Sequence, residues 1–347
     1  MTFGPGESDV RKLQATGGST FTLSLPKPWV VHHQLAPRDS LRVDWRPSGA
    51  LRITPLNEAS IPERHVRLHQ SKLPENSLHD HLMGAYISGA DVIRVGFEEG
   101  DDATVSRMIR RFLRSTRGFE IIHEESGWIE LRCLLNAGDM PLHASLNRMY
   151  LQVSSLVRDI VEVLEGADLG YIADAEERES EVDALLYLVE RQVRILFESH
   201  AVASRLNLSR THALEYANLA RSLERMMDHV NNMAHFLNQH PDALGFLRTS
   251  PPVNALPAWQ SGLKELMINI RTRDSSRIEA ARQQLKTLQQ ELKAYERTLQ
   301  QGTGEGLETA SLLGFSESVR RLCAYSRDVG EILLNMKLAS DMFDVMA

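Results

Sequence analysis

The apolar positions of this 347-residue chain change period twice, and the changes divide it into three stretches. From residue 10 to 53 they alternate with polar ones in short runs: Phe21-Thr22-Leu23-Ser24-Leu25, Leu41-Arg42-Val43-Asp44-Trp45 and Leu51-Arg52-Ile53. Period two predicts short strands, punctuated here by Gly17-Gly18, Pro37 and Pro47-Ser48-Gly49, with one short helix after Pro26. A β module of this size buries little core, so it is expected to need a second copy or support from the rest of the chain. Between Pro62 and Pro141 the periods mix. Helices are predicted at 78–88 and 104–116, the second capped by Asp101 or Asp102, and strands at 92–97, 119–123 and 128–134.

Beyond Pro141 the spacing is helical almost to the end. Six helices are predicted, over 142–164, 172–199, 209–238, 257–271, 275–299 and 312–340, with Ser209 and Ser275 as candidate N-caps. Breaks are expected at 166–170, 207–209, 241–252, Arg273-Asp274 and 302–306. The Pro-rich turn at Pro251-Pro252 splits the helices into two groups of three, which suggests an internal duplication. The third helices of the two groups align Arg225-x-x-Asp228-His229-Val230-x-Asn232 with Tyr325-x-x-Asp328-Val329-Gly330-x-Ile332. The fold class is therefore multidomain α+β: a small β module at 8–56, an α/β connecting domain at 61–140, and three-helix bundles at 141–240 and 253–347.

Charge adds the candidate chemistry. Two helices of the first group each carry an acid-x-x-x-Asp step, Glu179 with Asp183 and Glu224 with Asp228. Residues four apart share a helical face, so each step sets two carboxylates side by side. At about 100° per residue, Val182, Leu186, Val189 and Val193 form one apolar stripe, and Leu223, Met227, Val230 and Ala234 the other. The carboxylates flank these stripes without entering them. That position suits a cation on the bundle surface, and it equally suits solvated acids paired with Arg178, Arg221 or Arg225. Met226, Met227 and Met233 read as core filling.

The other charges are less pointed. Residues 142–240 hold 15 acidic against 9 basic side chains, every basic one an Arg, while residues 1–60 hold 7 basic against 5 acidic. Arg107, Arg110, Arg111, Arg114 and Arg117 form the most cationic run and lie mostly along one helical side. It reads as a solvated face able to meet an acidic partner or nucleic acid. His79 and His81, two apart, point to different sides of a helix and read as exposed or capping groups. Thr16-Gly17-Gly18-Ser19-Thr20 lacks the Gly-Lys-Ser/Thr ending of a phosphate loop and reads as a turn. A hydrophobic content of 42% with 24% charged residues is that of a soluble globular chain, and no apolar run reaches the ~18 residues of a membrane helix. With no secretory-type N-terminus and two isolated cysteines, Cys133 and Cys323, a cytoplasmic location is expected, without membrane insertion. No nucleophile elbow or His-Glu-x-x-His step is present, and the chain reads as a non-enzyme.

Two resemblances sharpen this reading. Gly17-Gly18-Ser19, then Ser24-Leu25-Pro26-Lys27-x-Trp29, Leu35 and Asp39-Ser40-Leu41, resemble the swapped-hairpin domain of the SpoVT/AbrB family. The resemblance implies an interdigitated homodimer and, as in many members, DNA binding through Arg11, Lys12, Lys27 and Arg42. Glu181-Val182-Asp183-x-Leu185 with Arg191-Gln192, followed by Leu223-Glu224-Arg225-x-x-Asp228-His229-x-x-Asn232, is similar to the PhoU family. That resemblance implies two tandem three-helix bundles and metal held by Glu179, Asp183, Glu224 and Asp228, with Asn232 or its neighbour Asn231 as a further oxygen donor. Oxygen donors favour Mg, Mn, Ca or Fe, and the adjacent His229 leaves Zn open. The second repeat keeps Asp328 but has Ala324 four residues earlier, and Gln289, Gln290 and Lys293 where acids would be needed, so one site is expected. The two motifs together resemble the archaeal fusion proteins that regulate phosphate uptake. They imply a phosphate-transporter ATPase or a signalling protein as partner, with phosphate itself as a candidate bridging ligand of the metal. The alternative is a DNA-binding transcriptional regulator whose helical half is the sensor.

Overall fold

The computed structural model describes residues 8–18, 20–45, 49–56, 63–98, 100–301 and 306–342. The chain divides into two units, Met1–Glu63 and Arg64–Ala347. Ser19 and the breaks expected at Pro47-Ser48 and 302–305 lie outside the described residues.

The first unit consists of two antiparallel ribbons joined through a one-and-a-half-turn helix. Strand β1 (Gln14–Thr16) pairs with β2 (Thr20–Thr22), α1 (Lys27–His32) starts on the proline pair that flanks Lys27, and β3 (Leu41–Trp45) pairs with β4 (Leu51–Pro55). The alternation at 21–25 had predicted a longer strand; the ladder stops at Thr22, ahead of Pro26, which has no amide to donate. No described side chain of this unit is buried. Phe21 is 66% and Trp45 81% exposed, and Val31, Val43 and Leu51 lie open as well.

The second unit opens with a mixed four-stranded sheet of order β5-β6-β8-β7, with β5 at His65–His69, β6 at Val92–Gly96, β7 at Phe119–Glu125 and β8 at Trp128–Cys133. β5 and β6 run parallel, joined through α2 (Leu78–Ile87), and α3 (Asp102–Ser115) leads from β6 to the β7/β8 hairpin. Leu82, Tyr86, Ile109, Phe112 and Phe119 fill the space between helices and sheet, Tyr86, Phe112 and Phe119 meeting edge to face. Neither acid expected to cap α3 does so. Asp101 holds the N-cap position in helical geometry (φ −89°, ψ −5°) with no side-chain cap bond, and Asp102 accepts from the Gly100 amide instead.

Helices α4 (Leu142–Glu165), α5 (Ala175–Glu198), α6 (His200–Arg205) and α7 (Arg210–Gln239) follow, then the single turn α8 (Leu244–Leu247), α9 (Pro251–Thr272), α10 (Ser275–Gln301) and α11 (Leu307–Asp341). The long ones form two three-helix bundles, α4/α5/α7 and α9/α10/α11, which share one continuous apolar core. Both predicted stripes of the first bundle are buried, and so are Met226, Met227 and Met233. α4 ends on Gly166 at φ 115°, a left-handed position that favours glycine. Ser209 caps α7, accepting from the His212 amide, as predicted. At α10 the cap is Asp274, not Ser275: its carboxylate accepts from the amides of Ser276 and Arg277, and Ser275 is already helical. The Pro251-Pro252 break is likewise the first turn of α9, where a missing amide costs nothing. The helix then runs through Pro257, burying Val253, Leu256 and Trp259 to offset the lost bond.

The two third helices, α7 and α11, meet through the residues that align between the repeats. Arg225 lies over the Tyr325 ring at 5.8 Å, and the rings of His229 and Tyr325 stand 5.9 Å apart. Trp259 donates to Ser326 at 2.9 Å deep in the shared core. Among the described residues, no helix is long and apolar enough to cross a membrane.

Candidate metal centre

Burying Val182, Val189 and Val193 on α5 against Leu223, Met227 and Val230 on α7 rotates the two acidic steps toward one another. Glu179, Asp183, Glu224 and Asp228 are all half-buried, and each has its pKa raised. Burial is the leading cause at all four. At three of them the next cause is the other carboxylates: Asp183 and Asp228 act on Glu179, Asp228 acts on Asp183, and Asp228 and Asp183 together help push Glu224 up to about 7, whereas His229 and Arg225 act on Asp228 in the opposite sense. Tyr187 of α5 is raised by burial and then by the same cluster, Asp183 ahead of Glu224. With α5 packed on α7, the predicted acids therefore lie within electrostatic reach of one another.

None of the four forms an ion pair among the described residues. Of the arginines expected to pair with them, two are engaged elsewhere, and Arg225, which makes no ion pair with them, still acts to lower Glu224 and Asp228. Arg178 binds Asp159 (2.6 Å) and Asp174 (2.9 Å), Arg221 binds Glu190 (2.7 Å), and Arg225 lies on Tyr325. Of the two candidate asparagines, Asn231 reaches the cluster and donates to Glu179 at 2.5 Å, while Asn232 is exposed. The other end of that amide, Asn231 Oδ1, is buried without a hydrogen-bond partner. His229 turns its ring to Tyr325, and burial lowers its pKa.

Oxygen donors, unneutralised carboxylates and an orphaned amide oxygen fit a hard cation. Among the described residues, no three His, Cys, Asp or Glu side chains are grouped closely enough to hold one ion together.

The equivalent place in the second bundle carries the opposite chemistry. Asp328 is raised by burial and then by Glu331, but Arg327, Arg225 and Arg282 all act on it in the other sense. Arg327 donates to Gln289 at 2.7 Å. The Arg282 stem lies so close to Gly330 that a Cβ there would stand 2.5 Å from its Cγ, so the glycine makes room for a cation beside Asp328.

Arg191 and Gln192, singled out only as part of a motif, attach the bundle to the sheet. Arg191 is 3% exposed and donates to the Tyr86 carbonyl (2.9 Å) and to Asp91 (3.4 Å), and Gln192 donates to the carbonyls of Ala137 (2.9 Å) and Met140 (2.7 Å). In the first unit, two of the four basic residues proposed for DNA are already paired, Arg11 with Asp9 (2.5 Å) and Arg42 with Asp44 (2.8 Å), while Lys12 and Lys27 are exposed.

Residues 146–237, which lie within α4 through α7, match the family model of the PhoU domain. No curated protein and no solved structure matches the chain.

Proposed function

We propose that the chain is a non-catalytic, cytosolic regulator of phosphate uptake or phosphate signalling, built on its PhoU domain and holding metal at the first bundle. The supporting observation is the four-carboxylate cluster of that domain, half-buried and without ion pairs among the described residues, whose charge a multivalent cation would relieve. Glu179, Asp183, Glu224 and Asp228 would hold the ion, with Asn231 Oδ1 as a neutral donor in place of Asn232. Mg, Mn, Ca or Fe suits this set; His229, turned to Tyr325, is poorly placed to favour Zn. The partner would be a phosphate-transporter ATPase or a signalling protein of the same system. Elemental analysis of the full chain purified without chelator is expected to find bound metal, and the variant Asp183→Ala/Asp228→Ala at least tenfold less. Equal contents would defeat the assignment.

The N-terminal unit enters the same proposal as a SpoVT/AbrB-like dimerisation module. Its support is the absence of any buried side chain among its described residues, with Phe21, Val43 and Trp45 open to solvent. Apolar surface of that extent is covered by a second copy in an interdigitated dimer. DNA reading through the module has less support, because Arg11 and Arg42 already carry carboxylate partners. Sedimentation of the full chain is expected to give a dimer and Phe21→Asp/Val43→Asp a monomer. A parent chain that sediments as a monomer at micromolar concentration would remove the dimer reading.

A further inference from the structure

The cationic run of α3 faces α5 across a cleft of about 530 Å³. Arg111 and Arg114, three apart on one helical face, line one side together with Arg117 just past the helix end and His79 of α2. Glu177 and Asp183 of α5 stand on the other side. We propose that this cleft is a binding site for a phosphoryl oxyanion, held by the guanidinium groups of Arg111, Arg114 and Arg117.

Three observations carry the proposal. Among the described residues none of the three arginines forms an ion pair, although an acidic helix lies opposite. Glu181, the third carboxylate of α5 that lines the cleft, is taken by Arg148 (2.7 Å) and by Gln152. Three like charges are thus gathered on one wall outside any ion pair, with Glu177, Glu181 and Asp183 across the cleft and Arg117 acting on Glu181 from a distance; an anion stabilises such a wall most when it accepts from several guanidinium forks at once. A phosphoryl group does so, since its oxygens match the fork geometry. The second observation is His79 Nε2, buried without a partner, on a ring that lines the same cleft. With its proton on Nε2 the ring would donate to an anion oxygen that reaches it from the cleft. The third is size: the volume lies within the range of small-molecule sites and exceeds what inorganic phosphate alone needs, so phosphate monoesters and diphosphate fit the same chemistry.

The identity of the anion rests on the phosphate-regulatory reading; the location of the site does not. Asp183 belongs both to the carboxylate cluster and to the cleft wall, so a cation on the cluster and an anion on the arginines would be neighbours. The cleft also joins the α/β layer to the first bundle, and a bound anion would tie the two together.

Calorimetric titration of the full chain with inorganic phosphate, diphosphate and AMP, with sulfate as control, tests this in chelator-treated and metal-supplemented protein. At least one phosphoryl compound is expected to bind more tightly than sulfate. Arg111→Ala/Arg114→Ala, at two exposed positions, is expected to weaken it at least tenfold with metal content unchanged, and Arg114→Glu to do the same. No binding of any phosphoryl compound, or equal binding by the arginine variants, overturns the proposal. Binding that needs metal and ignores the arginines would place the anion on the carboxylate cluster instead. A chain that binds the anion through the arginines but carries no metal keeps the cleft and removes the metal reading.

Discussion

Arg191→Ala is expected to loosen the α/β layer from the first bundle by about 2–3 kcal/mol. Among the described residues Arg191 is the one buried cation joining the two, and its loss removes three things at once. The Tyr86 carbonyl loses its 2.9 Å donor, Asp91 loses its 3.4 Å contact, and the rings of Tyr86 and Phe119 lose a guanidinium at 5.2 and 5.4 Å. Asp91 is not stranded, because the Arg64 amide still donates to it at 2.9 Å and the Arg64 guanidinium remains 3.7 Å away. That places the effect below the ~3–5 kcal/mol of a fully orphaned buried charge. Hydrogen exchange is the measurement. Amides of β5, β6 and β8 should lose protection by about 30- to 140-fold, while those of α9, α10 and α11 hold theirs. Unchanged protection in the sheet would show that Gln192 and the apolar contacts carry the attachment without Arg191.

That attachment also marks where reading along the chain stops. The six long helices were legible because each buries a stripe set by its own period of 3.6, and the flanking place of Glu179, Asp183, Glu224 and Asp228 follows from the same wheel. Asn231 was legible by angle too, standing nearer the stripe than Asn232, yet only the packed helices show which amide meets Glu179. β5 carried a fair signal in the alternation of Val66 and Leu68 but was passed over beside its His and Arg neighbours, and β1 is too short to show one. What could not be read are pairings between distant segments. Arg191 meets Tyr86 across 105 positions, and Arg111 and Arg114 face Asp183 across about 70, so a run that looks like a solvated face becomes one wall of a cleft. The second bundle is the converse case. Its lack of acids at Ala324 and Gln289 was visible, but the replacement of their role by Arg282 and Arg327 needed the contact at Gly330 to be seen.

Glu224→Gln is expected to act with opposite signs on the metal-free and metal-bound chain. In the folded metal-free protein the Glu224 carboxyl is pushed up from an ordinary value of 4.5 to about 7, by burial first and then by Asp228 and Asp183. The folded chain therefore keeps this proton to a higher pH than the unfolded chain does. Its stabilising contribution is fully present below about pH 4.5, declines as the pH rises, and is gone above about pH 7. The full shift would correspond to about 3 kcal/mol, and solvent screening of a half-buried group reduces this to about 1–2 kcal/mol. Glutamine cannot ionise, so chelator-treated Glu224→Gln should be more stable than the parent by that amount at pH 8, and its stability should vary less between pH 4.5 and 7. With metal the order reverses. A cation at a thousandfold its Kd stabilises the parent by about 4 kcal/mol, about 10 °C in Tm for a unit of this size, and the variant, short of one charged ligand, loses most of that gain. Thermal melts at pH 5 and pH 8, each with chelator and with Mn²⁺ or Mg²⁺, give the four numbers. A variant less stable than the parent in chelator at pH 8 would mean that Glu224 is held by a favourable contact and not by strain. A parent whose Tm ignores every cation offered would mean that the cluster's charge is left to solvent.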